Sequence, residues 1–106
     1  MFSRARRRLR LEGVSTRITS GFRTRAKQIQ LYRRYLRGDP RVFSAARPGR
    51  SVHEYGFGLD VVASDQGALV RAMREEGFVW AGPSDPVHFD PFGATRWAQI
   101  LAANGL

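Results

Sequence analysis

The spacing of hydrophobic positions changes several times along the chain, and each change marks an element. Phe2, Ala5, Leu9 and Glu12 recur at three- and four-residue steps, which predicts a short amphipathic helix ending at Gly13. Residues 14–19, Val-Ser-Thr-Arg-Ile-Thr, alternate and are β-branched, so they read as a strand. From Arg25 to Arg37, Ala26, Ile29, Tyr32 and Leu36 form one helical face, and Gly38-Asp39-Pro40 ends it. Residues 41–52 hold Pro48, Gly49 and several arginines and read as a loop. A buried strand is predicted over 58–63, then a helix from Ser64 to Glu76 with Leu69, Val70 and Met73 inward, stopped by Gly77. Short strands follow at 78–80 and 87–89, separated by a turn at 82–86. Pro91-Phe92-Gly93 breaks the chain again, and Ala94 to Ala103 reads as a helix with Trp97, Ile100 and Leu101 facing in. Strands mixed with helices, without an even strand–helix–strand repeat, predict an α+β domain with a small, mostly antiparallel sheet and flanking helices.

The chain has 106 residues, 42% hydrophobic and 25% charged, which suits one globular domain. The expected organisation is a single catalytic domain over 1–106: a basic N-terminal helix at 1–13, a motif-bearing core at 14–90 and a C-terminal helix at 91–106. No apolar run approaches the ~20 residues that a transmembrane helix needs. Cysteine is absent, which excludes disulfides, thiolate metal sites and cysteine nucleophiles.

Charge changes the picture more. Eighteen Lys and Arg stand against nine Asp and Glu, for a formal net charge of +9, and Lys27 is the sole lysine. Such a surface attracts polyanions: nucleic acid, anionic lipid or an anionic cell wall. Arg4, Arg6, Arg7, Arg8 and Arg10 form a block that serves either as an anchor for anionic wall polymers or simply as a solvated helix face. The chain carries no recognisable nucleic-acid-binding motif. Leu9 and Leu11 are interrupted by Arg10, so the N-terminal segment does not read as a signal peptide.

The chemistry narrows to few groups. His53 and His88 are the two histidines, and each has a carboxylate nearby: Asp60 after His53, Asp85 before His88. Two imidazoles, one carboxylate and an open position make the ligand set of a catalytic zinc site. An additional carboxylate, close but not a ligand, is then needed as general base, and Asp85 or Glu54 could fill that role. Gly56 and Gly58 allow a tight turn between the candidate ligands.

Three ordered blocks then point to a family. Ser51 to Asp60, Ser-Val-His-Glu-Tyr-Gly-Phe-Gly-Leu-Asp, resembles the Ser-x-His-x-x-Gly-x-Ala-x-Asp motif of the LAS metallopeptidases, zinc enzymes that cut bacterial peptidoglycan. These include VanY-type D-alanyl-D-alanine carboxypeptidases and the L-alanyl-D-glutamate endopeptidases of phage endolysins. Ser20-Gly21-Phe22-Arg23-Thr24 with Gln28 and Leu31-Tyr32 resembles a second block, and Gly77 to Trp80 with Asp85 to Phe89 resembles the closing one. The blocks span about residues 14–90.

The resemblance implies a fold of the hedgehog/DD-peptidase type and one zinc ion held by His53, Asp60 and His88. It implies Asp85 as general base, Arg23 as a cleft cation for a substrate carbonyl or carboxylate, Ser51 as a contact beside the metal, and Gln28 as a supporting residue. The implied activity is hydrolysis of an amide bond in peptidoglycan stem peptides, by an endolysin-like endopeptidase or a carboxypeptidase. The Asp-x-x-His-Phe ending resembles the endopeptidase branch more closely. Gly58 stands where the family usually has Ala, Asp90 where a Glu is common, and the turn between Trp80 and Asp85 is short. The alternative is a metal-bound but catalytically idle module that grips an anionic wall or nucleic acid. The expected enzyme is a monomer that works on the cell wall, either held in the cytoplasm until holin-type release or trimmed from a secreted protein.

Overall fold

The computed structural model describes residues 2–42 and 45–106. Met1 of the predicted first helix, and Phe43 and Ser44 of the predicted loop at 41–52, lie outside the described residues. The described chain runs α1 (Phe2–Leu11), β1 (Thr16–Ser20), α2 (Arg25–Leu36), a short 3-10 turn (Val52–Tyr55), β2 (Leu59–Ala63), α3 (Gln66–Glu75), β3 (Val79–Trp80), β4 (His88–Asp90) and α4 (Ala94–Ala103). The strands form one antiparallel sheet in the order β1-β2-β4-β3, so the α+β expectation holds.

Strand alternation divides the sheet into two faces. Val61 of β2 and Phe89 of β4 point one way and are fully buried, with Leu59, Ala63 and Trp80 packed around them. Helix α3 covers this face through Ala68, Leu69, Ala72 and Met73, and α1 closes over α3 with Ala5 and Leu9. The opposite face carries Asp60 and His88, paired across the ladder. Thus the strands that build the core on one side deliver polar side chains on the other.

Helix ends follow one rule. At α1, the Gly13 amide bonds the Arg10 carbonyl and the Val14 amide bonds the Leu9 carbonyl at 2.8 Å, with Gly13 at φ 79°. This is a Schellman motif, which needs a residue in the left-handed region and so favours glycine. All four described α-helices end this way. At α3 the chain beyond Gly77 drops Phe78 straight into the core.

Helix α2 departs from its predicted face. Leu36 is 65% exposed and Ala26 is exposed, while Gln28 is fully buried. The cause is polar docking. The Gln28 amide donates to the Ala46 carbonyl at 2.8 Å, tying α2 to the 45–50 loop rather than to the hydrophobic core. Apolar spacing cannot report a face chosen by a hydrogen bond. The 3-10 turn at 52–55 was likewise absent from the predicted elements; Ser51 caps it by accepting from the His53 amide. Among the described residues, no helix is long and apolar enough to cross a membrane.

Leu9 anchors α1 from outside the sheet. Leu9→Ala is expected to cost about 2–5 kcal/mol, measured by urea denaturation, because the cavity lies between two helices already fixed by other contacts. A loss below about 1 kcal/mol would mean that α1 is not part of the cooperative core.

Candidate active site

His53, Asp60 and His88 converge from three segments. Asp60 and His88 are cross-strand partners on β2 and β4. His53 arrives on the 3-10 turn, which is pinned to the segment after β1 by the Arg23 amide bonding the His53 carbonyl at 3.0 Å. Gly58 lies under its ring: a Cβ there would come within 2.9 Å of the His53 Cγ. The imidazole occupies the space that any side chain at position 58 would need.

The hydrogen bonds fix both tautomers. His53 Nδ1 lies 2.8 Å from the Gly21 carbonyl, which can only accept, so Nδ1 carries the hydrogen and Nε2 is left with its lone pair. His88 Nε2 donates to Asp90 Oδ2 at 2.8 Å, which leaves Nδ1 bare. The two free nitrogens lie 3.2 and 3.0 Å from the same oxygen, Asp60 Oδ1. Two lone pairs and a carboxylate facing one another repel unless a cation sits among them. Donors about 2.05 Å from a tetrahedral zinc-like ion are about 3.3 Å apart. The spacing, the donor types and the outward commitment of each ring all fit a bound metal ion, and the candidate donor atoms lie within 4.8 Å of one another.

Titration reflects the same crowding. Burial alone would raise the Asp60 pKa, but the hydrogen bonds and charge of His53 and His88 hold it well below the usual carboxylate range. Burial opposes a charged His88, yet hydrogen bonds to Asp60 and Asp90 and their charges push its pKa up to about 9. Without metal, a proton occupies the place of the cation. Asp90 is buried, and its other oxygen accepts from the Phe92 and Gly93 amides at 2.7 Å, so it joins the His88 ring to the start of α4.

A cleft of about 470 Å³ opens over the triad. Arg23, Ser51, Asp85 and Asp90 line it, with Arg41, Arg50 and Trp97 on its walls. The Arg23 guanidinium donates to Ser20 Oγ and Gln28 Oε1, both at 2.8 Å, and lies 3.9 Å from Asp60 Oδ2. Gln28 itself is buried behind Arg23 and does not line the cleft, so it orients the arginine instead of meeting a ligand. Ser51 is almost buried, with its hydroxyl engaged by the His53 amide at 3.2 Å.

Asp85 and Glu54 separate clearly. The Glu54 carboxylate accepts from Arg25 Nε at 2.9 Å and from the Gly49 amide, and it is turned away from the cleft. Asp85 lines the cleft, and among the described residues its carboxylate takes no hydrogen bond. Burial raises its pKa, the His88 charge pulls the other way, and the balance lies above the ordinary value. Its turn is held by Trp80 Nε1 and Gln66 Nε2, which both donate to the Pro86 carbonyl at 2.9 and 3.1 Å. Gln66 and the Gly21 carbonyl carry no sequence signal for these roles, because both act through contacts with distant segments.

A metal-type triad on the open face of a small antiparallel sheet, beside a carboxylate that lines the same cleft, defines the class: a metallopeptidase. The comparisons with known proteins agree. The family model VanY, described as D-alanyl-D-alanine carboxypeptidase, matches residues 1–83. Similar folds include VanYB in complex with D-alanine-D-alanine, 19% identical over 97% of this chain and 74% of that one, with a TM-score of 0.69. The LdcB LD-carboxypeptidase is 25% identical over 99% of this chain and 67% of that one, at 0.65. The L,D-carboxypeptidase DacB of Streptococcus pneumoniae is 25% identical over 99% and 68%, at 0.63. The chain belongs to the VanY family of D-alanyl-D-alanine carboxypeptidases. The family match stops before Asp85 and His88, so these two join the site through geometry.

The raised His88 pKa sets a pH dependence for the metal-free protein. The folded state holds that proton more tightly than an ordinary histidine with a pKa of 6.5. The resulting stability is complete below about pH 6.5 and is lost as pH rises through about 9. Chelated protein is therefore expected to lose roughly 5 °C or more in Tm between those limits. Metal-loaded protein should lose much less, since the cation replaces the proton. A flat Tm for the chelated protein would show that Asp60 and Asp90 do not hold His88 in its charged form.

Proposed function

We propose that residues 1–106 act as a single catalytic unit, a zinc peptidase that removes the C-terminal D-alanine from peptidoglycan stem peptides. The observation that carries this reading is the commitment of both imidazoles, which leaves two lone pairs and Asp60 facing one cation site at 3.0–3.2 Å. Zinc is the ion favoured by this His, Asp, His donor set, and a vancomycin-resistance VanY variant of the same fold, 21% identical, was solved in complex with Zn(II). Family membership supports a cell-wall substrate and favours the carboxypeptidase reading over the endolysin-like endopeptidase.

Bound among His53, Asp60 and His88, zinc would supply a Lewis acid for the scissile carbonyl and favour ionisation of the attacking water. The protein's own groups do the rest. Asp85, without a hydrogen-bond partner among the described residues and with a raised pKa, takes the proton of that water and returns it to the leaving amine. Arg23, oriented by Ser20 and Gln28, offers a fixed cation to the substrate carboxylate or the developing oxyanion. Ser51 caps the turn that presents His53 and offers its oxygen at the cleft wall. Arg41 and Arg50 add positive charge along the path of an acidic stem peptide.

The test is mass spectrometry of stem-peptide products with and without a zinc chelator. Loss of one terminal alanine residue, abolished by chelation, is expected; a cut after L-alanine would replace the carboxypeptidase reading with the endopeptidase one. Asp85→Asn should lower kcat by about 10²–10⁴-fold while the protein keeps one zinc per chain. His53→Ala should lose both zinc and activity. Full activity in Asp85→Asn would remove that residue from the mechanism, and absence of any chelator-sensitive product would leave the idle wall-binding module.

A further inference from the structure

Four aromatic side chains form a connected series that begins at the cleft wall with Trp97 and runs outward from it. Trp97 lines the cleft and stacks on Phe92, with centroids 5.7 Å apart and planes 17° from parallel. Phe92 meets Phe57 edge-on at 5.2 Å, and Tyr55 meets Trp97 edge-on at 5.5 Å. The hydrophobic core is built from other residues. Tyr55 and Phe57 remain 41% and 46% exposed, so burial does not account for their position. Two of the rings are tied to the backbone. Trp97 donates its indole N–H to the Arg50 carbonyl and Tyr55 its hydroxyl to the Gly49 carbonyl, both at 2.8 Å. With those polar groups turned to the backbone, the surface presents ring carbon. A half-exposed, pre-organised apolar series continuous with a cleft marks a ligand surface.

Its place identifies the ligand. In a stem peptide cut at its terminal alanine, four residues separate the scissile bond from the sugar that bears the peptide. Extended, they span about 14 Å, more than a cleft of about 470 Å³ encloses. The sugar therefore lies beyond the rim, and the aromatic series is an apolar surface continuous with that rim through Trp97. Amino-sugar rings present flat C–H faces bordered by polar groups, which suit stacking on aromatic rings bordered by arginine. We propose that Trp97, Phe92, Phe57 and Tyr55 form a platform for the amino-sugar strand that carries the stem peptide being cleaved. This rests on the stem-peptide reading above.

The experiment compares zinc-loaded protein on two substrates: the free pentapeptide, and the same pentapeptide linked to its N-acetylglucosaminyl-N-acetylmuramyl disaccharide. The linked substrate is expected to have the higher kcat/KM, by about tenfold, equivalent to about 1.4 kcal/mol. Phe57→Ala should collapse that ratio, and Phe57→Tyr should keep it. Equal kcat/KM for the two substrates, or an equal loss on both in Phe57→Ala, would overturn the platform. Should Phe57→Ala fail to fold, peptide-free glycan strands added to the native protein provide the second readout. They should shift the tryptophan emission, and no shift overturns the proposal. Cleavage of neither substrate would instead sink the stem-peptide reading, and the emission change would still test the platform separately.

Discussion

Two imidazoles with their outer nitrogens already committed face one carboxylate, and the local structure is arranged around that repulsion. The Gly21 carbonyl holds the hydrogen of one ring and Asp90 that of the other, so neither ring can turn its lone pair away from Asp60. The cation that resolves the conflict must sit among the three donors. Proton and metal compete for that place; in the metal-free protein, against the cost of burial, hydrogen bonds to Asp60 and Asp90 and their charges push the His88 pKa up to about 9. The constraint spreads outward through backbone contacts. Asp90 ties the site to the first turn of α4, and the Arg23 amide ties the His53 turn to the end of β1.

A small domain can carry so polar a centre because its sheet keeps two functions on opposite faces. Val61 and Phe89 anchor the hydrophobic side, while their neighbours Asp60 and His88 form the polar side one residue away. Register between β2 and β4 therefore sets core packing and ligand spacing together. A one-residue slip would bury the ligands and expose the core.

The cleft combines an anionic centre with cationic walls. Arg23 is close to the triad yet partly desolvated; burial lowers its pKa, and the charges of Asp60, Glu54 and Asp85 offset part of that cost. Such an arginine can engage a carboxylate with little further loss of hydration. The description of the family, D-alanyl-D-alanine carboxypeptidase, names a substrate that ends in a carboxylate. The remaining positive charge is spread over α1, α2 and the loops, where most of the arginines are exposed and bear on long-range attraction more than on the reaction.

Much of this was legible in the residues alone. Apolar spacing located α1 and α3 because both dock on the core through continuous hydrophobic faces, and it placed α4 and the strands of the sheet as well. The motif blocks named His53, Asp60, His88, Asp85 and Arg23 together, and the fold gathers all five around one cleft. Sequence left Glu54 and Asp85 level on spacing alone; only the fold turned Glu54 towards Arg25 and Gly49 and left Asp85 facing the cleft. It also misjudged the inner face of α2, which a buried Gln28 decides through one hydrogen bond. The protonated nitrogen of each histidine, the role of Asp90 and the aromatic rim were decided by tertiary structure. Each depends on a hydrogen bond or ring contact between segments whose approach no local pattern encodes. Periodicity reports how an element meets a hydrophobic core, whereas these features arise on the side of the sheet that faces away from it.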